Sequence, residues 1–234
     1  MRPEACAAAG EALPVETTTP TPETTVREGD MEGALRAVGE LGYRDASVRA
    51  VLEYSGGYKR QFHEHFASLE ACFQEAYAVW IERLGISLLE AAVLAPDWQA
   101  GVRAGLVKLF QFVTQQPAIA RSLFVEVHVA GGEALAVHEE VTERLAQALD
   151  SVRDGLEPSQ TPPQSAGIFV VGGIEACLCD VLAAGDQGRI WNALPELMHL
   201  AVGSYLGNEA ADEEFERTKA LLERDRAQLG GEGR

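Results

Sequence analysis

Strand signals, metal-ligand spacings, positive charge and long apolar runs are all scarce in this sequence of 234 residues, and each scarcity removes a class of function. No segment reaches the roughly 18 to 20 uninterrupted apolar residues that a membrane-spanning helix needs. The first residues, MRPEACAAAGEALPVE, place no basic region ahead of an apolar core, so a cytoplasmic location with no membrane partner is expected. The four cysteines, Cys6, Cys72, Cys177 and Cys179, are too few for a disulfide framework at this length, and their spacing fits no zinc pattern. The lone C-x-C of Cys177 and Cys179 reads as thiols on a helix, and neither metal nor cofactor is expected. His128, His138 and His199 form no H-x-x-x-H or H-E-x-x-H, and no nucleophile sits beside a base or a phosphate loop. An enzyme is therefore not expected. With 19 Lys and Arg against 36 Asp and Glu, the formal net charge is −17. Phosphate binding rests on Lys and Arg, so any contact with nucleic acid has to be local.

What the sequence has is helical periodicity. Residues 1–28, rich in Ala, Thr, Pro and Glu, offer little to bury, which predicts a disordered tail dispensable for folding. From Asp30 onward apolar residues recur at three- and four-residue steps, which predicts an all-α fold. Caps and breakers predict helices over Asp30 to Leu41, Ser47 to Tyr54 and Tyr58 to Phe66, then a longer one from Ser68 to Leu94 that ends at Ala95-Pro96. Asp97 caps the next, to Gln115, and Pro117 opens another that reaches Val129 before Gly131-Gly132. Glu133 to Leu156, Ala166 to Ala184, Gly188 to Leu206 and Asn208 to Leu229 complete the set, with a loop over Glu157 to Ser165. Residues 29–75 make a small head and 76–229 a larger body.

A short helix, a Gly, a capped helix, a Gly-containing turn and a second short helix are the parts of a helix-turn-helix. The stretch LGYRDASVRAVLEYSGGYKRQFHEHFASLEACFQEAY resembles the head of TetR-family transcription regulators. The points of likeness are Gly42-Tyr43, Ser47-Val48-Arg49, Gly56, Phe62, His65-Phe66, Ser68 and Glu70. Asp97-Trp98, Gln116-Pro117, Gly172-Gly173-Ile174-Glu175 and Ser204-Tyr205-Leu206-Gly207 followed by Glu209-Ala210 resemble the bodies of such proteins. The resemblance implies a homodimeric, ligand-responsive regulator, most simply a repressor, whose heads bind a near-palindromic duplex operator. Its reading surface would comprise Tyr58, Lys59, Arg60, Gln61, His63 and His65, with Ser47 and Arg49 set against phosphates.

Departures from the family pattern point the other way. Leu69 stands where a Lys usually opens the fourth helix, His63 stands for a Tyr, and Tyr58 and Arg60 replace small residues. From Met31 to Glu70 five basic residues face six acidic ones. A head without net positive charge binds DNA weakly, so the alternative is a ligand-binding or heterodimerising protein on the same scaffold with DNA binding weakened or lost.

Apolar residues from Gly101 to Leu156 suit either a core or an apolar pocket, and the sequence does not separate the two. Phe110, Phe124, His128, Phe169 and Glu175 are the candidate lining for an unidentified, apolar small-molecule effector. Ile168, Val171, Gly172, Glu175, Leu178 and Leu182 form one stripe, and Trp191, Leu194, Leu197, Met198, Ala201 and Tyr205 a second. Two such helices from each subunit make a four-helix dimer contact, or else two core helices of one subunit.

Overall fold

A computed structural model describes residues 22–156 and 162–231. The expected tail over residues 1–21, with Cys6, and the loop residues 157–161 lie outside the described residues. Among the described residues there is no strand. The helices are α1 (Pro22–Leu41), α2 (Val48–Ser55), α3 (Lys59–His65), α4 (Leu69–Val93), α5 (Trp98–Gln115), α6 (Pro117–Arg121), α7 (Val127–Ala130), α8 (Gly132–Asp150), α9 (Ala166–Ala184), α10 (Ile190–Leu206) and α11 (Asn208–Gly231).

Polar caps start the helices where the sequence placed them. Ser47, Ser68 and Asp97 are extended and accept hydrogen bonds from Ala50 N, Ala71 N and Ala100 N at 3.3, 3.1 and 2.7 Å. Each satisfies a backbone donor that the first helical turn leaves free. Gly56 ends α2 with φ of 69°, left-handed backbone that side chains other than glycine resist.

Three expectations change. α1 begins at Pro22, so residues 22–28 belong to the fold: Arg27 pairs with Glu75 and lies over the Phe66 ring, and Glu28 pairs with Arg83. The rod from Pro117 to Ala130 is broken by a π-helical turn over Ser122–Glu126 between α6 and α7. The helix that opens with Glu133 leaves α geometry after Asp150 and tightens into a 3₁₀ turn, Ser151–Gly155. α9 has the length and mean hydropathy of a membrane span. It carries Glu175 and Asp180, however, and its inward face is buried against α8 and α10.

The core is continuous from head to body. Phe62, Leu35, Val38 and Val51 fill the head, and Phe73, Ala76 and Tyr77 of α4 carry the packing into the body without a gap. The boundary expected between residues 75 and 76 thus falls inside a 25-residue helix. Burying Phe62 completely contributes roughly 1.5 to 3 kcal/mol and fixes α3 by its inner face.

Where α1 meets α6 the two backbones touch. A Cβ on Gly39 would lie 1.8 Å from the Ala118 carbonyl oxygen, whereas one on Gly29 would meet nothing within 4 Å. Gly39→Ala therefore forces α1 off α6 and is expected to cost about 1 to 3 kcal/mol by denaturant titration. Gly29→Ala is expected to leave stability unchanged or slightly raised.

Candidate DNA-reading face and ligand cavity

The outer face of the head follows from what its inner face buries. Phe62 is fully enclosed at the centre of α3, and Tyr58, Lys59, Arg60, Gln61 and His63 are all exposed around it. His65 is half-buried beside Phe66. Ser47 and Arg49 are exposed on α2, and Arg49, Leu52 and Lys59 flank a shallow groove between α2 and α3. The turn joining the two helices is tied to α1: Ser55 Oγ donates to Asp30 Oδ1 at 2.8 Å and accepts from Gly57 N at 3.2 Å. Every sequence-predicted reading residue except His65 therefore faces outward.

Two of the three cations on this face are already engaged. Arg49 pairs with Glu53 at 3.0 Å and Arg60 with Glu64 at 3.1 Å, each one helical turn apart. Such exposed pairs contribute about 0.3 to 0.5 kcal/mol, so a phosphate displaces them at little cost. Among the described residues Lys59 has no ion pair. Leu69 is half-buried and packs against the core, which accounts for an apolar residue at the head of α4.

The body holds a cavity of about 550 Å³. Its apolar wall comes from Leu84 and Leu88 of α4, Leu106 of α5, Val141 of α8 and Ile174 of α9. Trp98 closes one end, held by Nε1 donating to the Leu149 carbonyl at 3.2 Å and by edge contact with the Tyr205 ring at 5.1 Å. At the other end the lining turns polar. His138 Nδ1 lies 2.7 Å from the Tyr77 hydroxyl, and its Nε2 lies 2.9 Å from Glu175 Oε1. The Thr142 hydroxyl also reaches Oε1, at 3.2 Å. The Nε2 contact has ion-pair distance but not hydrogen-bond alignment, leaving a buried nitrogen without a directed partner.

A chain of polar contacts runs from this end to the head. Tyr77 on α4 also approaches the Leu123 carbonyl, at 3.2 Å, in the π turn. Within the same turn Glu126, buried, accepts from Tyr43 N at 2.9 Å and pairs with Arg121 at 3.3 Å, and the Ser122 hydroxyl donates to the Leu35 carbonyl of α1. Tyr43 lies in the loop between α1 and α2, and its ring meets Phe73 of α4 edge-on at 5.2 Å. α4 and the π turn thus converge on one head residue.

Of the five expected lining residues, Phe124 and Glu175 border the cavity. Phe110 is core, edge-on to Trp191 at 5.6 Å. His128 is exposed with its ring 5.5 Å from His138, and Phe169 is 72% exposed on the outer side of α9. The stripes expected at a dimer contact need correction. Val171, Leu178, Leu182, Leu194, Leu197, Met198, Ala201 and Tyr205 are buried within the subunit, Trp191 is half-buried, and Glu175 belongs to the cavity. The most apolar stripe of each helix packs the subunit's own core, as the two-core-helices alternative has it. Ile168 and Gly172 do lie outside, with Phe169, Ala176 and Leu200. Tyr77, Thr142 and Glu126 were not singled out by the sequence, since only folding brings residues 61 and 83 positions apart together.

Burial, with Glu175 nearby, pushes the Tyr77 hydroxyl well above its ordinary 10.0. The folded state then keeps this proton longer than the unfolded one. Its contribution is complete below pH 10 and is lost as pH rises beyond. Tyr77→Phe is expected to flatten the alkaline limb of the stability profile, measured by denaturant titration between pH 8 and 11.

No family model and no curated protein matches the sequence. Solved structures match its fold. The fatty acid degradation regulator FadR from Bacillus halodurans superposes with a TM-score of 0.66 at 14% identity, over 75% of this chain and 97% of that one. A TetR-family regulator from Marinobacter aquaeolei VT8 gives 0.60 at 16%, over 75% and 95%. TylP, a TetR regulator from Streptomyces fradiae, gives 0.57 at 18%, over 86% and 90%. The chain has the fold of the TetR-family transcription regulators.

Proposed function

We propose that the protein is a ligand-responsive transcription regulator that binds duplex DNA as a homodimer, α3 of each subunit reading a major groove. The observation that carries this reading is α3 itself. One fully buried aromatic anchors it while five polar or aromatic side chains stand outward on a head continuous with a hollow body. Arg60 and Lys59 suit guanine or phosphate, and Gln61 suits adenine. The exposed N-terminus of α2, with Ser47 and Arg49, suits phosphate.

Two heads are needed because one short helix reads too few base pairs, and a near-palindromic operator places half-sites about 34 to 36 Å apart. The outward sides of α9 and α10 fit a second copy of the chain. Phe169 and Leu200 supply apolar area, and Gly172 and Ala176, both exposed, admit close approach. An occupant of the cavity that repositions Tyr77 acts on α4 and the π turn together and alters head spacing. Repression relieved by ligand is the simplest regulatory sense.

The alternative, a scaffold with DNA binding weakened or lost, is favoured by Leu69, which packs on the core and leaves no cation at the head of α4. A gel shift with the DNA flanking its own gene, at low and moderate salt, separates the two. A specific shift is expected, weakened roughly tenfold in Lys59→Ala with a salt slope shallower by about one. No specific shift at any salt favours the alternative.

A further inference from the structure

We infer that the cavity takes an elongated apolar molecule whose single polar end donates hydrogen bonds and carries no negative charge, seated on Glu175 beside His138 and Thr142. This rests on the ligand-responsive reading above and names the chemistry of the occupant.

Shape comes first. The lining follows α8 from His138 to Leu149, and at about 1.5 Å per residue that span is on the order of 16 Å. The wall between those residues is almost entirely aliphatic, with Trp98 at the far end. An apolar body therefore loses water along most of its length, and the groups that can hold a polar end away from solvent are His138, Thr142 and Glu175, since at the Trp98 end Asp97 is exposed and the Ser151 hydroxyl already donates to the Ala148 carbonyl.

Charge decides which polar group that is. Among the described residues no Lys or Arg lines the cavity, and the carboxylates that do are Asp97 and Glu175. Asp97 is solvent-exposed, with Oδ1 capping α5, so water already serves it. Glu175 retains a quarter of its side-chain exposure, and the contacts from His138 Nε2 and Thr142 both converge on Oε1. Among the described residues no hydrogen bond reaches Oε2. A free carboxylate oxygen is an acceptor, so it calls for a donor. His138, 95% buried, presents Nε2 to the same spot without an aligned partner, so a hydroxyl or amine there completes two half-satisfied groups at once. An incoming carboxylate would meet Glu175 with no cation to offset it.

The probes are decylamine, decan-1-ol and decanoate at pH 7, below their aggregation thresholds, read by the change in tryptophan emission, to which Trp80, Trp98 and Trp191 all contribute, and by melting temperature on the full chain. Decylamine is expected to bind at least tenfold more tightly than decanoate, with decan-1-ol between them. Glu175→Gln, nearly isosteric, is expected to remove most of the preference for decylamine over decan-1-ol. Leu88→Trp, which narrows the cavity midway along its wall, is expected to lower the melting-temperature shift produced by all three probes. Thr142→Val gives a second route to the polar end should Glu175→Gln fail to fold. Decanoate binding as tightly as decylamine, no binding of any probe, or an order unchanged in the Glu175→Gln and Thr142→Val proteins overturns the inference. Operator binding is scored separately without probe, so a failure of the regulator reading leaves this result standing on its own.

Discussion

A carboxylate buried where head meets body, that of Glu126, constrains how the two halves of this chain sit. Taking an ionised carboxylate out of water costs several kcal/mol unless its oxygens are matched. Here one oxygen is matched by the Tyr43 backbone amide and the other by Arg121. The Tyr43 amide belongs to the loop that begins the helix-turn-helix, and Glu126 belongs to a π-helical turn. The head cannot rotate away from that turn without stranding the carboxylate. Gly39 permits the arrangement, because only a residue without a side chain lets α1 lie against the α6 backbone.

The π turn gives this junction its other half. π turns inside α-helices are rare and recur at functional sites. This one faces the body through Leu123 and Phe124, the latter bordering the cavity, and faces the head through Ser122 and Glu126. Tyr77 approaches the Leu123 carbonyl, and its hydroxyl also lies against His138 at the cavity's polar end. Coupling between two sites is commonly carried by packed groups that link them to an element with two arrangements. The geometry supplies the linking groups, and in the proposed function an occupant that repositions Tyr77 acts on α4 and the π turn together.

Much of the fold was legible in the sequence because its signals are local. Ser47, Ser68 and Asp97 announce helix starts, Gly56 announces a stop, and Phe62 between polar neighbours announces a helix with one buried face. The resemblance in the head added the order of these parts. Less local features were not legible. Residues 22–28 read as tail by composition, yet Arg27 and Glu28 find partners on α4 that lie some fifty residues away. The stripes on α9 and α10 were visible, but periodicity says only that a stripe is apolar, and here the subunit's own core occupies it. The polar end of the cavity draws on α4, α8 and α9, and no spacing along the chain encodes that meeting.

Tyr77, the π turn and Glu126 join the cavity's polar end to the head. Amide hydrogen exchange at Tyr43, compared among the wild type, Glu126→Gln and Tyr77→Phe, reads that connection. Tyr43 is expected to lose protection in both variants, although Tyr77 does not touch its amide. Loosening confined to residues 122–126 in Tyr77→Phe, with Tyr43 exchanging as in the wild type, would show that the connection does not exist.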